Sequence, residues 1–299
     1  MQAIAAWLVA RPQNAVLGLA SSLAFTLLMP LVQIFSGAIL AFLVLHQGPK
    51  RSMLQAAMAI AIVAAIALIS GSATGYVVVS GLVTWAPVFL LTALLRQWRS
   101  VNLAMQVSVI VAVLLMLGFF IVMPDPIAFW KSVLTAFSAV FSEAGLHEQA
   151  DVLLTQQDLI APQMTLIFVF TSWSMVVCMT LLGNALLQKL PGNSTNFGQF
   201  RDFSFGRVLA IVMAVSSLAA MASNAIWIQN VSFLMFSVFW LQGLAIAHWL
   251  QAEGRLPGFV LVLVYVLLPV LNFIVIVGLA VAGYADAWFG FRRPAASKS

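Results

Sequence analysis

The fold class is all-α, a polytopic transmembrane helical bundle of about nine to ten membrane segments with a periplasmic amphipathic helix. Three observations predict it. Uncharged apolar runs recur along the 299 residues, and a helical crossing needs roughly 17–25 such residues. The chain is 63% hydrophobic and 7% charged, against about 25% charged in ordinary soluble domains, so no soluble core could hide its apolar surface. Charge is also segregated: every Lys and Arg except Lys131 lies in one set of breaks between the runs, while Asp125, Glu143, Glu148, Asp151 and Asp158 crowd into a different break. Cationic loops stay on the cytoplasmic side, which predicts a multi-pass protein of the bacterial inner membrane with its N-terminus cytoplasmic.

Met1 to Ala10 is too short to cross and is followed by Arg11-Pro12, so it reads as an interfacial helix anchored by Trp7. Asn14 to Leu45 is uncharged but interrupted at Pro30, which reads as two short spans meeting there or as one span plus a re-entrant piece; two spans are favoured because they bring both Arg11 and the His46, Lys50, Arg51 loop to the cytoplasm. Ser52 to Leu95 reads as an antiparallel pair turning at Gly71-Ser72-Ala73-Thr74-Gly75. Val101 to Met123 crosses outward and stops at Pro124-Asp125-Pro126. Apolar and polar residues from Ile127 to Phe141 recur at helical spacing, as in an amphipathic helix on the outer surface. Leu166 to Leu187 returns inward, and Val208 to Leu250 is a second hairpin with a polar break at Ser223-Asn224. Leu256 to Ala285 carries Pro269 and Asn272 near its middle. A hairpin bent at Pro269 brings Arg292, Arg293 and Lys298 to the cytoplasm and gives ten segments; a single crossing gives nine.

A net charge of +5 in a soluble protein would suggest nucleic acid. Here the cations flank apolar spans, so membrane lipids are the expected partners and nucleic acid is not. The single cysteine, Cys178, lies inside an apolar run and excludes a disulfide framework or thiol metal cluster. No histidine pair of metalloprotease spacing, phosphate loop or nucleophile elbow occurs. The expectation is therefore a non-enzyme with no metal, no cofactor and no ATPase of its own.

Pro30 and Pro269 are each followed three positions later by an amide, Gln33 and Asn272. Broken helices whose freed backbone groups line a cavity form the sites of many transporters, so Gln33, Asn272 and Gln242 are candidate ligand-binding residues. The bland alternative is a pair of ordinary proline kinks. His248, near the end of an apolar run, is a candidate proton or polar relay. It lies six residues from Gln242, and the two do not share a helix face. Asp286 lies close to Arg292 and Arg293 and reads as an interfacial ion pair or helix-end anchor. Gly37/Ala41, Gly243/Ala247 and Gly278/Ala282 are small-xxx-small pairs that let helices approach. The stretch 197–207 alternates aromatics with cations, so Phe200, Arg201, Phe203 and Arg207 are expected to contact headgroups or a partner protein.

The elements Gln199-Phe200-Arg201-Asp202-Phe203, Leu241-Gln242-Gly243-Leu244-Ala245 with His248, and Gly283-Tyr284-Ala285-Asp286-Ala287-Trp288-Phe289-Gly290-Phe291-Arg292-Arg293 resemble the YybS-like family of bacterial inner-membrane proteins. That family is in turn distantly similar to the S subunits of energy-coupling-factor transporters and to MreD. The resemblance implies an N-terminal membrane bundle over 1–190, including the outer loop 124–162, and a C-terminal membrane extension over 191–299 that carries the cytoplasmic loop 197–207. It transfers no ligand. Two functional expectations follow: a small-molecule-binding membrane subunit or permease, or a non-enzymatic scaffold that organises other envelope membrane proteins.

Overall fold

A computed structural model describes residues 2–292, excluding the side chains at 31, 269, 270 and 272. It is helical throughout, with no strand among the described residues. Among the described residues five helices are long and apolar enough to cross a membrane: Pro49–Ile69, Thr74–Trp98, Val101–Val122, Gln157–Gln188 and Ile226–Ala252. Their large exposed side chains, such as Ile66, Leu68, Ile121 and Val122, have no water-compatible role and suit contact with lipid chains. The chain divides into two compact units, one formed by residues 1–105 with 174–200 and the other by 106–173 with 201–299.

The first unit contains α1 (Gln2–Ala10), α2 (Pro12–Leu28), α3 (Gln33–Gln47), α4 (Pro49–Ile69) and α5 (Thr74–Trp98). To these it adds the first residues of α6 (Val101–Val122) and the latter part of α10 (Met164–Gln188). The break expected at Pro30 is a 3-10 turn, Pro30–Val32, because proline cannot continue the hydrogen-bond ladder of α2. At about 1.5 Å per residue, α3 is only about 22 Å long, yet it is the hub of the unit. Ala41, Phe42, Leu43, Val44 and Leu45 are all buried, and a helix apolar on every side belongs in an interior. Its few polar groups are matched. Ser36 Oγ accepts from Trp85 Nε1 at 3.0 Å and from Ser22 Oγ at 3.1 Å, which ties α2 and α5 to α3. Arg96 donates to the carbonyls of Val44, which also accepts the Gly48 N–H, and of Leu45, whose partner four residues on would be Pro49, which has no N–H. Gly183 of α10 meets α3 at Ala38, Ala41 and Phe42, where a side chain would strike backbone.

The second unit contains the rest of α6 and the start of α10, together with α7 (Pro126–Glu143), α8 (His147–Thr155) and α9 (Gln157–Ile160). Its C-terminal helices are α11 (Gly206–Ala222), α12 (Ile226–Ser237), α13 (Trp240–Ala252), α14 (Gly258–Val270) and α15 (Asn272–Phe289). Asp125 starts α7 by accepting the Ala128 N–H at 2.9 Å, with Pro126 next in line; both residue types favour a helix start. The amphipathic helix expected from 127 to 141 is thus present. Trp130 and Leu134 pack with Ala161, and the Trp130 indole donates to Thr165 Oγ1 at 2.8 Å. Asn230 fastens α12 to the start of α10, accepting from Leu166 N at 3.1 Å and donating to Pro162 O at 3.1 Å. The apolar stretch 256–285 is broken at Leu271, between α14 and α15.

The closest helix approach in this unit is between α13 and α15. A Cβ on Gly243 would lie inside the carbonyl of Leu279, and one on Gly283 inside the carbonyl of Phe239. Of the small residues singled out in the sequence, Gly243 is therefore a contact point. Gly278 has no atom within 4 Å of a would-be Cβ, so its expected role in helix approach is corrected in favour of Gly283. Because backbone cannot yield as a side chain does, Gly243→Ala and Gly283→Ala should each destabilise the protein by ~1–3 kcal/mol. Gly278→Ala should leave the melting temperature unchanged or slightly raised. Thermal unfolding in detergent, followed by size-exclusion retention, checks the contrast; equal losses at all three positions would contradict it.

Candidate functional site

The close approach of α13 and α15 presses Gln242, fully buried, and Asp286, 4% exposed, against one another. The end of α15 completes the arrangement. Gly290 adopts φ +62° and donates its N–H to Asp286 O at 2.8 Å, a left-handed helix end that favours glycine. The chain then turns so that Arg292 returns to the carboxylate, with Nη2 at 2.7 Å and Nε at 3.2 Å from Asp286 Oδ2. Gln242 Nε2 donates to the same oxygen at 2.7 Å. Oδ2 therefore receives three donors, whereas the buried Oδ1 receives none among the described residues.

This cluster also holds the loop in front of it. Gln242 Oε1 accepts the Phe205 N–H at 2.8 Å, and Arg292 Nη1 donates to the Arg201 carbonyl at 2.8 Å. From α6, Gln106 Nε2 donates to Phe205 O at 2.9 Å. Aromatic rings reinforce the seam: Phe203 meets Phe205 at 4.7 Å, Phe205 meets Phe239 at 5.5 Å, and Phe239 meets Tyr284 at 5.4 Å between centroids. The expectation that Phe203 reaches headgroups or a partner is corrected, because its ring is 1% exposed. The alternation of the loop places aromatics inward and cations outward. Phe200 is half-buried, while Arg201 and Arg207 are exposed.

Over the cluster lies a pocket of about 350 Å³ whose lining includes Arg201, Arg207 and Arg292 with Ser204, Trp249 and Asp286. It sits where helices end: α11 begins at Gly206, Trp249 is in the last turn of α13, and Gly290 closes α15. Neither Arg201 nor Arg207 forms an ion pair among the described residues. A second cavity of about 170 Å³, lined by residues such as Phe120, Pro126, Ile127 and Trp227, is smaller and mostly apolar.

The other sequence-derived candidates are placed differently. Gln33 is half-buried at the start of α3 and belongs to the first unit. Gln242 belongs to the second, with both ends of its amide engaged in the cluster. Asn272 begins α15, and its side chain lies outside the described residues. His248 Nε2 is 2.7 Å from the Tyr265 hydroxyl on α14, a partner that sequence spacing did not suggest. The expected ion pair at Asp286 is present with Arg292; Arg293 and Lys298 lie outside the described residues. Among the described residues no group of three or more His, Cys, Asp or Glu gathers as metal ligands. Sequence reading missed the pocket's Trp249, Ser204 and Gly206. A glycine at the start of an apolar run beside two arginines was the available signal.

The chain belongs to the family described as "Predicted membrane protein (DUF2232)", which matches residues 15–287. No curated protein and no solved structure matches it. With its family and its apolar helices, the chain is a multi-pass integral membrane protein.

Arg292 and Asp286 are both largely shielded from solvent, so removing one partner strands a charge. Arg292→Met should cost ~3–5 kcal/mol. The double variant Asp286→Asn/Arg292→Met, which removes both charges and leaves Gln242 an acceptor, should recover much of that loss. Thermal unfolding of the two variants beside the parent checks this; a single variant no less stable than the double would refute the dependence.

Proposed function

We propose that the chain is a small-molecule-binding subunit or permease of the bacterial inner membrane, without an ATPase of its own, and that the pocket in front of Gln242, Asp286 and Arg292 is its ligand site. The observation that carries this reading is the pairing of a cavity with cations. The pocket's volume of about 350 Å³ falls within the roughly 300–1,000 Å³ range of small-molecule sites. It holds two arginines with no ion-pair partner among the described residues, and the buried cluster beneath makes the lining rigid. The resemblance to the YybS-like family, and through it to transporter S subunits, supports a binding role. The segregation of Lys and Arg supports a pocket at the cytoplasmic face, with the N-terminus on that side.

Native mass spectrometry of the gently solubilised full chain tests the reading. The expected spectrum has a stoichiometric small-molecule adduct whose occupancy falls about tenfold or more in Arg201→Gln/Arg207→Gln, since charged hydrogen bonds contribute about 1.5–3 kcal/mol each. Gln33→Leu should retain the adduct. A bare protein accompanied by defined partner chains would overturn the reading in favour of a scaffold. Loss on Gln33→Leu alone would move the site to the proline breaks.

A further inference from the structure

We infer that the pocket recognises a phosphate ester bearing a hydroxyl or ammonium group close to the phosphate, either as a free small molecule or as a lipid headgroup. The inference rests on the ligand-site reading above and goes on to name the ligand's chemistry. Three features of the lining select for phosphate. Arg201 and Arg207 both line the pocket without an ion-pair partner among the described residues, and a guanidinium presents its N–H groups in a fork matched to phosphate oxygens. Gly206 lines it as the first residue of α11, a helix of seventeen residues; its N–H donates to Ser204 Oγ at 3.2 Å, and the N-cap, Phe205, supplies no side-chain acceptor to the amides that follow. Those following first-turn amides and the helix dipole attract an anion. Two guanidinium groups and a helix start around one pocket suit a tetrahedral group with several acceptor oxygens better than a planar carboxylate with two.

The requirement for a donor comes from Asp202. It lines the same pocket as an exposed carboxylate and forms no ion pair among the described residues. Beside the arginines it would repel a bare anion, whereas a hydroxyl or ammonium on the ligand turns the same contact into a charge-assisted hydrogen bond. With Asp286 beneath, the described lining holds three arginines against two aspartates. That balance favours an anion carrying a donor group over a bare polyanion. The location at helix ends allows either a soluble ester or a headgroup to enter.

Four probes separate the outcomes, each added to the purified full chain in detergent and read by native mass spectrometry and thermal shift. They are glycerol phosphate, methyl phosphate, dihexanoyl phosphatidylglycerol and malate. The proposal expects glycerol phosphate or the short-chain lipid to bind, glycerol phosphate to bind several-fold more tightly than methyl phosphate, and Arg201→Gln/Arg207→Gln to weaken binding at least tenfold while keeping the parent's elution profile. Binding of glycerol phosphate identifies a soluble ester; binding of the lipid alone identifies a headgroup. Equal binding of methyl and glycerol phosphate would overturn the role given to Asp202. Binding of malate without either phosphate compound would overturn phosphate selectivity yet leave the ligand site standing. Silence from all four probes, with the native adduct still lost in the arginine variant, would overturn the phosphate chemistry alone; silence with no native adduct would remove both.

Discussion

The C-terminal unit depends on keeping one carboxylate charged in an apolar setting. A buried Asp286 without partners would carry a heavy desolvation cost. Arg292 supplies the countercharge and Gln242 a further donor on the same oxygen. This arrangement is possible only because Gly243 and Gly283 let α13 and α15 come within backbone contact. Gln242 then presents its amide to Asp286 on one side and to Phe205 on the other. Helix approach, charge burial and loop position are one constraint seen at three distances from the glycines, and the pocket inherits its walls from that constraint.

The N-terminal unit solves a related problem without an ion pair among its described residues. Its central helix, α3, is short and is followed by Pro49, which has no N–H to offer the Leu45 carbonyl, so that end of the helix needs a donor from elsewhere in the fold. Arg96 reaches it from α5, and Ser36 meets the Trp85 indole and the Ser22 hydroxyl within the bundle. In a bilayer the alternative to such matching is an unsatisfied group in hydrocarbon. The polar residues of this unit therefore mark where helices begin, end and cross.

Much of the helical layout was legible because it follows from hydropathy and punctuation. The break at Pro30, the turn near Gly71, the start of α7 at Asp125-Pro126 and the break after Pro269 are all local effects of residues that cannot continue a helix or that cap one. The site was legible only in fragments. Arg201, Arg207 and Gln242 were singled out, and the Asp286–Arg292 pair followed from six-residue proximity. Nothing local places Gln242 beside a residue 44 positions later, because that contact is set by which glycine faces which helix. The same limit explains Gly278, which has the residue type of a contact glycine but faces open space, whereas Gly283, five residues on and so about 140° round the helix, lies on the face toward α13.

The aromatic-basic loop shows how composition and position can be read correctly while direction is reversed. Alternating Phe and Arg at a membrane edge suits two orientations: aromatics toward lipid with cations at phosphates, or aromatics toward protein with cations toward a cavity. The structure takes the second for Phe203 and Phe205, both fully buried among Phe239 and the end of α15. Turning them outward would break the two backbone bonds, at Arg201 and Phe205, by which the Asp286 cluster holds the loop. The buried polar cluster thus decides the orientation of the aromatics, and the aromatics in turn leave Arg201 and Arg207 facing the cavity. A cation that would otherwise be one more topological marker becomes part of a pocket wall.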